Sequence, residues 1–284
     1  MIDITDDAPR AHGAPPARGV FKSRPEDFRV DEVLGFEADG DGEHWLVLVE
    51  KRDANTRRVA GELARQAGAR PADVGYAGLK DRQAVTRQYF TVPSRSDPGW
   101  AGYTAPNWRV VGAQRHRRKL RRGAHRGNRF ALIVRGLTGD PDALDALDAR
   151  LATLGQYGVP NYFGPQRFGV ECSNLATAHR WIETGERVGR RDRGFALSAM
   201  RALVFNRVLA RRVAAHNWNE LLDGELVILD GSNSVFERAR LGDDGAQSLA
   251  AMDIHPSGPL WGAGPPRSAG AVAEIENAVA DGLG

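Results

Sequence analysis

Apolar residues along the chain follow two spacings, and these predict a strand-rich first part and a more helical second part. Phe28, Val30 and Val33, followed by the apolar run at residues 45–49, indicate early strands. The remaining predicted strands lie at residues 89–92, 130–134 and 225–229. Helices are predicted after residue 55, after residue 141, over residues 198–217 and from about residue 269.

Two of these helices have clear end signals. Asn55 or Thr56 can cap the first one, and Gly68 stands where a helix often stops. Asp140 and Pro141 open the second, whose leucines at 144, 147, 151 and 154 form one apolar stripe. Both segments therefore predict amphipathic helices that pack on a core.

A turn-rich segment at residues 155–169 suggests a boundary between two structural units. Residues 1–18 are acidic and then rich in alanine and proline, which is typical of a disordered lead. The predicted organisation is a lead over 1–18, a first domain over 19–157 and a second over 158–284. The aromatic residues within 155–169 suit either a hinge or a contact with a substrate.

The distribution of charge is more informative than its sum, which is +3 over 284 residues. Residues 98–139 contain no Asp or Glu, and arginines are dense between 115 and 129. A second cluster consists of Arg187, Arg190, Arg191 and Arg193. Unopposed arginines at this density predict a nucleic-acid partner, with Arg117, Arg118 and Arg121 as contacts. The alternative is a solvated loop that only keeps the protein in solution.

Several classes of protein are disfavoured by what the sequence lacks. Cys172 is the single cysteine, so no internal disulfide can form, and no metal-ligand spacing surrounds it. This favours a reducing, cytoplasmic setting. The sequence shows neither a secretory signal nor an apolar run of about 20 residues, which predicts no membrane association. A P-loop, a dinucleotide fingerprint and a zinc-hydrolase motif are also missing, which argues against those enzymes.

Residues 75–84 (GYAGLKDRQA) carry the strongest candidate chemistry. Two glycines permit tight turns, and they present a Lys-Asp-Arg triplet just before a predicted strand. Asp81, between Lys80 and Arg82, would be held ionised and could act as a nucleophile or a base. Such a triplet could equally be a surface salt-bridge cluster on a turn.

Residues 78–84 (GLKDRQA) resemble the nucleophile motif of the tRNA pseudouridine synthase D family. Five further segments are similar to that family in the same order, namely 22–28 (KSRPEDF), 127–130 (GNRF), 160–169 (PNYFGPQRFG), 198–213 and 258–262 (GPLWG). The resemblance implies an α+β fold, with a pseudouridine synthase-like catalytic domain built on a mainly antiparallel sheet and an inserted α/β domain.

The activity that this resemblance implies is isomerisation of a uridine in tRNA, at position 13, to pseudouridine. It implies no cofactor, and no obligate protein partner is predicted. Asp81 would attack the sugar or the base, or would assist elimination, and the sequence does not choose among these. The target base has to leave its stack to be reached.

The resemblance also implies roles for four residues around Asp81. Phe130 could stack on the extruded uracil, Asn128 could hydrogen-bond its edge, Phe28 could line the pocket, and Lys22 could meet a phosphate or steady Asp81. Each has a plainer interpretation. By periodicity both phenylalanines could be core, Asn128 could belong to a turn, and Lys22 could be an exposed lysine. Arg167, among rigid neighbours, is a further candidate RNA contact.

The family pattern continues past the inserted domain with a return to the catalytic domain, and nothing in this sequence matches that return. We therefore expect an incomplete catalytic sheet with an exposed edge or apolar face, and poor solubility or association. This departure leaves a second interpretation open, a catalytically silent protein that binds or folds tRNA.

Overall fold

The computed structural model describes residues 8–232, 234–258, 261–262 and 264–283. It divides into two compact units, one spanning Pro16–Ala146 and the other formed by the described parts of Met1–Pro15 and Leu147–Gly284. We call them the first and the second unit. Pro259 and Leu260, in the middle of the 258–262 motif, lie outside the described residues.

The first unit is built on a seven-stranded sheet, counted over the described residues, with the order β6-β7-β3-β5-β2-β8 and β4 paired to β5. All pairs are antiparallel except β2 with β5. The elements are β2 (Phe28–Val33), β3 (His44–Arg52), α1 (Thr56–Gln66), β4 (Gly75–Tyr76), β5 (Val85–Pro93), β6 (Thr104–Ala105), β7 (Trp108–His116) and β8 (Gly127–Leu132). A two-stranded ribbon is added by β1 (Ala17–Val20) and β9 (Arg135–Gly139).

The core of the first unit lies where α1 packs on this sheet. Val59 and Leu63 of α1 are fully buried with Phe90 of β5 and the inward residues of β3. Burial of such apolar side chains is the main source of stability. Asn55 is the cap that the sequence suggested, because its side-chain oxygen accepts the Arg57 N–H at 2.8 Å. Trp108, at the start of β7, also joins this core.

The second unit consists of helices and a small antiparallel sheet of order β11-β10-β12. Its elements are the part of α2 (Ala143–Tyr157) from residue 147 onward, α3 (Ser173–Thr184), α4 (Arg190–Ala214), β10 (Leu226–Leu229), β11 (Val235–Glu237), α5 (Gly245–Ala250), β12 (Ile254–Pro256) and α6 (Gly270–Asp281). Phe168 and Leu175 are buried against Ala199, Ala202 and Leu203 of α4. The predicted combination of an antiparallel α+β unit and a second unit with helices and strands is therefore confirmed.

Several expected boundaries differ from the observed ones. The division between the units falls inside α2, so segment 160–169 lies within the second unit. There Asn206 of α4 makes two hydrogen bonds of 2.9 Å with the backbone of Phe163, which fixes the segment on the helix. Helix α4 begins at Arg190, eight residues before the predicted start at 198. In the expected lead, His12 donates to the Gly158 carbonyl at 2.9 Å, and residues 1–7 lie outside the described residues.

One buried ionic cluster joins the elements of the second unit. Arg212 of α4 lies 2.8 Å from Glu225, and both side chains are buried. The Ser268 hydroxyl donates to Glu276 at 2.6 Å. Burial raises the pKa of both carboxyls, and it does so even though Arg212 opposes the shift. The Arg212–Glu225 pair therefore fixes α4 to the start of β10, and the Ser268–Glu276 hydrogen bond fixes α6 to the segment before it.

Candidate active site

Asp81 lies on the loop that connects β4 to β5, residues 77–84, which we call the Asp81 loop. Its carboxylate is paired with Lys22, whose Nζ is 2.7 Å from Oδ2, and the Asp81 side chain remains 54% exposed. Oδ1 makes no hydrogen bond to any of the described residues. One oxygen is thus held by a cation and the other faces outward, as a carboxylate that attacks a bound substrate requires.

The two cations that flank Asp81 in sequence do not contact it. Lys80 turns inward and pairs with Glu32 of β2 at 2.7 Å, and both side chains are buried. Arg82 turns outward to Asp53 at 3.2 Å. The expectation that Lys80 and Arg82 hold Asp81 ionised is therefore corrected by the geometry, because Lys22 is the cation that reaches it.

Buried polar side chains from three elements hold the backbone of the Asp81 loop. Lys51, at the end of β3, is fully buried and donates to the carbonyls of Ala54 and Asp81, at 2.8 Å each. Gln88 of β5 donates to the Gly78 carbonyl at 2.6 Å. Thr56, the first residue of α1, accepts the Lys80 N–H at 3.1 Å. Because buried carbonyls and amides are costly to leave unpaired, these contacts favour one loop conformation.

These supporting contacts also join to one another. The Thr56 hydroxyl donates to the Gln88 side chain at 3.1 Å. Glu32, which binds Lys80 through one oxygen, accepts the Tyr89 N–H through the other at 2.9 Å. Burial lowers the pKa of Lys51 to about 8, although the nearby Asp81 charge opposes the shift. The loop is therefore anchored to β2, β3, β5 and α1 together.

The segment that carries Lys22 and Phe28 is fixed by a buried carboxylate. Asp27 accepts two hydrogen bonds from the Arg135 guanidinium, at 2.7 and 2.8 Å. The Arg135 hydrogen bond holds the pKa of Asp27 below its usual range. A two-pronged contact of this kind fixes orientation as well as distance. Gln83 adds a hydrogen bond of 2.9 Å to the Lys22 carbonyl and so links this segment to the Asp81 loop.

The structure brings the two candidate phenylalanines together beside Lys22. The Lys22 Nζ stands 3.9 Å from the centre of the Phe28 ring, and the Phe28 and Phe130 rings meet edge to face at 6.0 Å. Phe130 is 56% exposed, and Leu132 and Val134 are exposed as well. These alternating residues are therefore not part of a core. The exposed ring of Phe130, beside Phe28 and Lys22, leaves an aromatic surface open near Asp81.

Asn128 lies on the same strand, opposite Glu32 in the β2–β8 register. Its Nδ2 donates to the His125 ring at 3.3 Å, and its Oδ1 is buried with no hydrogen-bond partner among the described residues. Phe130 pairs with Val30 in the adjacent part of the register. Phe28, with Lys22 beside it, thus lies at one end of the β2–β8 pair and Asn128 near the other, and Phe130 lies between them.

The candidate RNA-contact arginines have different surroundings. Arg117 belongs to the loop after β7, residues 117–126, which we call the basic loop, and it forms a two-pronged pair with Asp41 at 2.7 and 2.9 Å. Arg118 and Arg121 are exposed, with no carboxylate partner among the described residues. Arg167, in the second unit, stands 4.9 Å from the Phe163 ring centre and donates to the Ser198 hydroxyl.

A cleft of about 1110 Å³ runs along the basic loop, and its lining does not include Asp81. It is lined by Phe36, Asp39 and His116 together with most of the arginines of the loop. His116 pairs with Asp39 at 2.8 Å and stacks on Phe36. The Asp81 loop and the cationic cleft therefore occupy separate parts of the first unit.

Sequence reasoning missed the residues that support the Asp81 loop. Lys51, Glu32 and Gln88 are charged or polar residues inside strand patterns, and this was the signal that could have singled them out. Thr56 was considered only as a helix cap. In the part of the chain that the structure describes, no group of three or more His, Cys, Asp or Glu is placed to hold a metal ion. Across the same residues, no helix is long and apolar enough to cross a bilayer.

Comparison with known proteins gives a consistent result. The family described as tRNA pseudouridine synthase D (TruD) matches residues 9–186. The chain is 47% identical to a tRNA pseudouridine synthase D of Methylococcus capsulatus over 95% of its own length and 77% of that protein. It is 46% identical to the protein of that name from Ectopseudomonas mendocina, covering 97% and 78% of the two chains.

A solved structure from Methanosarcina mazei, assigned as a tRNA pseudouridine synthase D, is similar in fold. It superposes with a TM-score of 0.76 at 22% identity, over 93% of this chain and 78% of that one. At that identity the likeness concerns the fold alone.

Proposed function

The chain belongs to the tRNA pseudouridine synthase D family, and from this premise we propose that Asp81 is the catalytic nucleophile acting on uridine-13 of tRNA. The family activity is isomerisation of uridine in tRNA to pseudouridine. The observation that carries the assignment of Asp81 is its carboxylate, held by Lys22 at one oxygen and open at the other. The surrounding backbone is held by buried donors, which is the preorganisation that a positioned nucleophile requires.

The reaction breaks the bond between the sugar and N1 of uracil and forms a bond from the same sugar carbon to C5, and C5 loses its proton while N1 gains one. Asp81 serves the first step through its open Oδ1, by attack or by assisting elimination. Phe130 stacks on the extruded base, with Phe28 beside it, and the unpaired Asn128 Oδ1 accepts a hydrogen bond from the uracil N3–H. No cofactor enters this scheme.

We assign the two units separate tasks. The first unit, with the β2–β8 pair and the Asp81 loop, is the catalytic domain. The second is the inserted domain of the family. Arg118 and Arg121 contact tRNA phosphates directly, Arg117 does so after leaving Asp41, and Arg167 adds a contact from the second unit.

The experiment that tests the catalytic assignment is pseudouridine formation in unmodified tRNA, mapped by position, with Asp81→Asn beside the unaltered chain. We expect product at position 13 that disappears in the variant, while tRNA binding stays within about twofold. Asp73→Asn is the matched control, because Asp73 is a partly exposed carboxylate paired with Arg70 outside the Asp81 loop. Product that persists in Asp81→Asn would refute the assignment. Binding without product in the unaltered chain would favour a protein that only binds or folds tRNA.

We also propose that the enzyme works in the cytoplasm, where newly made tRNA is found. The single cysteine, Cys172, supports a reducing compartment. Fractionation of cells that express the tagged chain tests this, and recovery with the membrane fraction would contradict it.

A further inference from the structure

A cationic surface in the second unit takes no part in the site described above. It lies where α3 ends and α4 begins, around the turn 185–189. We call it the arginine–aromatic patch, and it consists of Trp181, Arg187, Arg190, Arg191, Arg193 and Phe195.

The four arginines of the patch are not neutralised by the protein. Residues 187–193 contain four arginines and one aspartate, a net charge of +3. Among the described residues, none of the four forms an ion pair. The nearby acidic side chains are already engaged, since Glu186 pairs with Arg180 at 3.2 Å and Glu183 with His179 at 2.9 Å. Because these glutamates are paired with residues outside the patch, the positive charge of the patch is not compensated.

Aromatic rings hold two of these guanidiniums in place. The Arg193 Cζ stands 4.9 Å from the Trp181 ring centre, and the Arg191 Cζ stands 5.7 Å from that of Phe195. A guanidinium on a ring keeps its N–H donors free at the edge and loses side-chain freedom before any ligand arrives. Both effects favour capture of an anion with oxygen acceptors.

The position of these arginines costs the helix stability. Arg190, Arg191 and Arg193 lie in the first turn of α4, where the helix dipole is positive and cations are unfavourable. Stabilising α4 therefore does not account for them, while binding a polyanion does.

We propose that the arginine–aromatic patch binds the phosphate backbone of the substrate tRNA, as a contact surface separate from the Asp81 site. The proposal rests on the family activity, because the polyanion it names is the RNA on which the enzyme acts. The positive charge of the four arginines favours phosphates. The rings of Trp181 and Phe195 orient two of the guanidiniums so that the patch contacts two or three phosphates at once.

The test uses the full chain with Arg190→Gln, Arg191→Gln and Arg193→Gln combined. Binding of unmodified tRNA is measured across a salt series. The slope of log affinity against log salt is expected to fall by about 2 to 3, and affinity near 0.1 M salt by roughly 10- to 100-fold. The melting temperature is expected to stay the same or to rise, since unfavourable charges leave the first turn of α4.

The matched control removes the same charge at the opposite end of α4. Arg238, Arg240 and Arg267, changed to Gln together, lie on segments near β10 and β11, and the Arg238 N–H bonds to the Glu225 carbonyl. Because Glu225 binds Arg212 in the last turn of α4, these residues are separated from the patch by about 20 residues of helix, about 30 Å. The control is expected to leave the salt slope unchanged within about half a unit.

A second variant tests the role of the rings without changing the charge. Phe195 is 49% exposed, so Phe195→Leu should not impair folding, and it should weaken binding about two- to fivefold with the salt slope unaltered. An unchanged slope in the triple variant, or an equal loss in the control, would overturn the proposal. If the unaltered chain makes no pseudouridine while the slopes still differ, the catalytic proposal fails and the patch stands. If the unaltered chain makes pseudouridine and the salt slopes of the triple variant and the unaltered chain coincide, the patch proposal is refuted while the catalytic proposal stands.

Discussion

The Asp81 loop and the basic loop belong to the same unit but differ in how their charged side chains are held. Buried donors and acceptors from β2, β3, β5 and α1 fix the first, and the cation that reaches its carboxylate is a lysine distant in sequence. The second is anchored at Leu120, which is buried and donates its N–H to the Thr91 hydroxyl oxygen at 2.9 Å, but its arginines are exposed and meet either solvent or the acidic segment that contains Asp39 and Asp41. One loop is held to one geometry, while the other mainly provides charge.

This difference fits the tasks that we propose for the two loops. Chemistry on one carbon atom is sensitive to errors of about 1 Å, so the nucleophile needs neighbours that cannot move independently. Attraction of a polyanion acts over a Debye length, about 8 Å at physiological salt, and tolerates mobile side chains. Substitutions in the first loop should therefore change kcat, and those in the second should change affinity and its salt dependence.

After Asp81→Asn, Lys22→Met should give the largest effect, because it removes the cation that holds Asp81. We expect kcat to fall by roughly 100-fold with KM nearly unchanged, and Lys22→Arg to restore part of the loss. Stability should change by less than about 1 kcal/mol, since both side chains are partly exposed. Steady-state kinetics separate the two roles considered for this residue. A raised KM with kcat intact, and a shallower salt slope, would mean that Lys22 meets a phosphate instead.

Lys51→Met should come next, because it leaves the buried carbonyls of Ala54 and Asp81 without donors. We expect kcat to fall about 10- to 100-fold while the Kd for tRNA stays within about twofold. Arg65→Met, at the exposed end of α1, removes the same charge without touching the loop and should leave kcat unchanged. Equal kcat in the Lys51 variant and the unaltered chain would show that the loop does not depend on this donor.

The same variant carries a pH prediction. The pKa of Lys51 is lowered from 10.5 to about 8, so between these values the folded chain binds fewer protons than the unfolded chain. Its unfolding free energy therefore gains a contribution that rises with pH across this window, by roughly 3 kcal/mol in total. The contribution is lost as the pH falls through 8. Urea denaturation from pH 7.5 to 10 should show this rise in the unaltered chain relative to Lys51→Met, and parallel curves would refute it.

The contrast between the loops also explains what sequence could predict. Periodicity located β2, β3 and α1 because each buries one face, it located β8 although that strand buries no residue, and the family motif singled out Asp81. Neither method found Lys51, Glu32 or Gln88, because a polar residue inside a strand gives no local sign of the distant carbonyl or amide that it will meet. The pairing of Lys80 with Glu32 rather than Asp81 likewise depends on tertiary structure, because the two residues are distant in sequence.

Strand β7 was overlooked for a related reason. No strand is predicted at residues 108–116, which belong to the stretch at 98–139 that contains no acidic residue. In the sheet, however, β7 pairs with β3 along its length, and Trp108 supplies a buried residue at its start. Its paired position beside β3 thus outweighs a composition that suggests a loop.

The basic loop should respond more weakly than the Asp81 loop, and through affinity. Arg118→Gln with Arg121→Gln should reduce the salt slope by about 1 to 2 and weaken tRNA binding by about tenfold near 0.1 M salt. Arg117→Gln alone should do less, because Arg117 has to give up Asp41 before it meets a phosphate. Arg57→Gln with Arg65→Gln, on α1, is the charge-matched control. A slope that is the same in all the variants would remove the basic loop from the RNA footprint.

Asp41→Asn should have the smallest effect, and its sign is the informative quantity. The Arg117 hydrogen bond holds the pKa of Asp41 below its usual range, so the pair stays charged at neutral pH. Removing the carboxylate frees Arg117 and deletes a negative charge beside the cleft, so tRNA binding should tighten two- to fivefold with a slightly steeper salt slope. Asp73→Asn, which breaks a comparable pair with Arg70, should leave binding unchanged. Weaker binding in Asp41→Asn would mean that Asp41 orients Arg117 for its phosphate, and the basic loop would then be positioned as the Asp81 loop is.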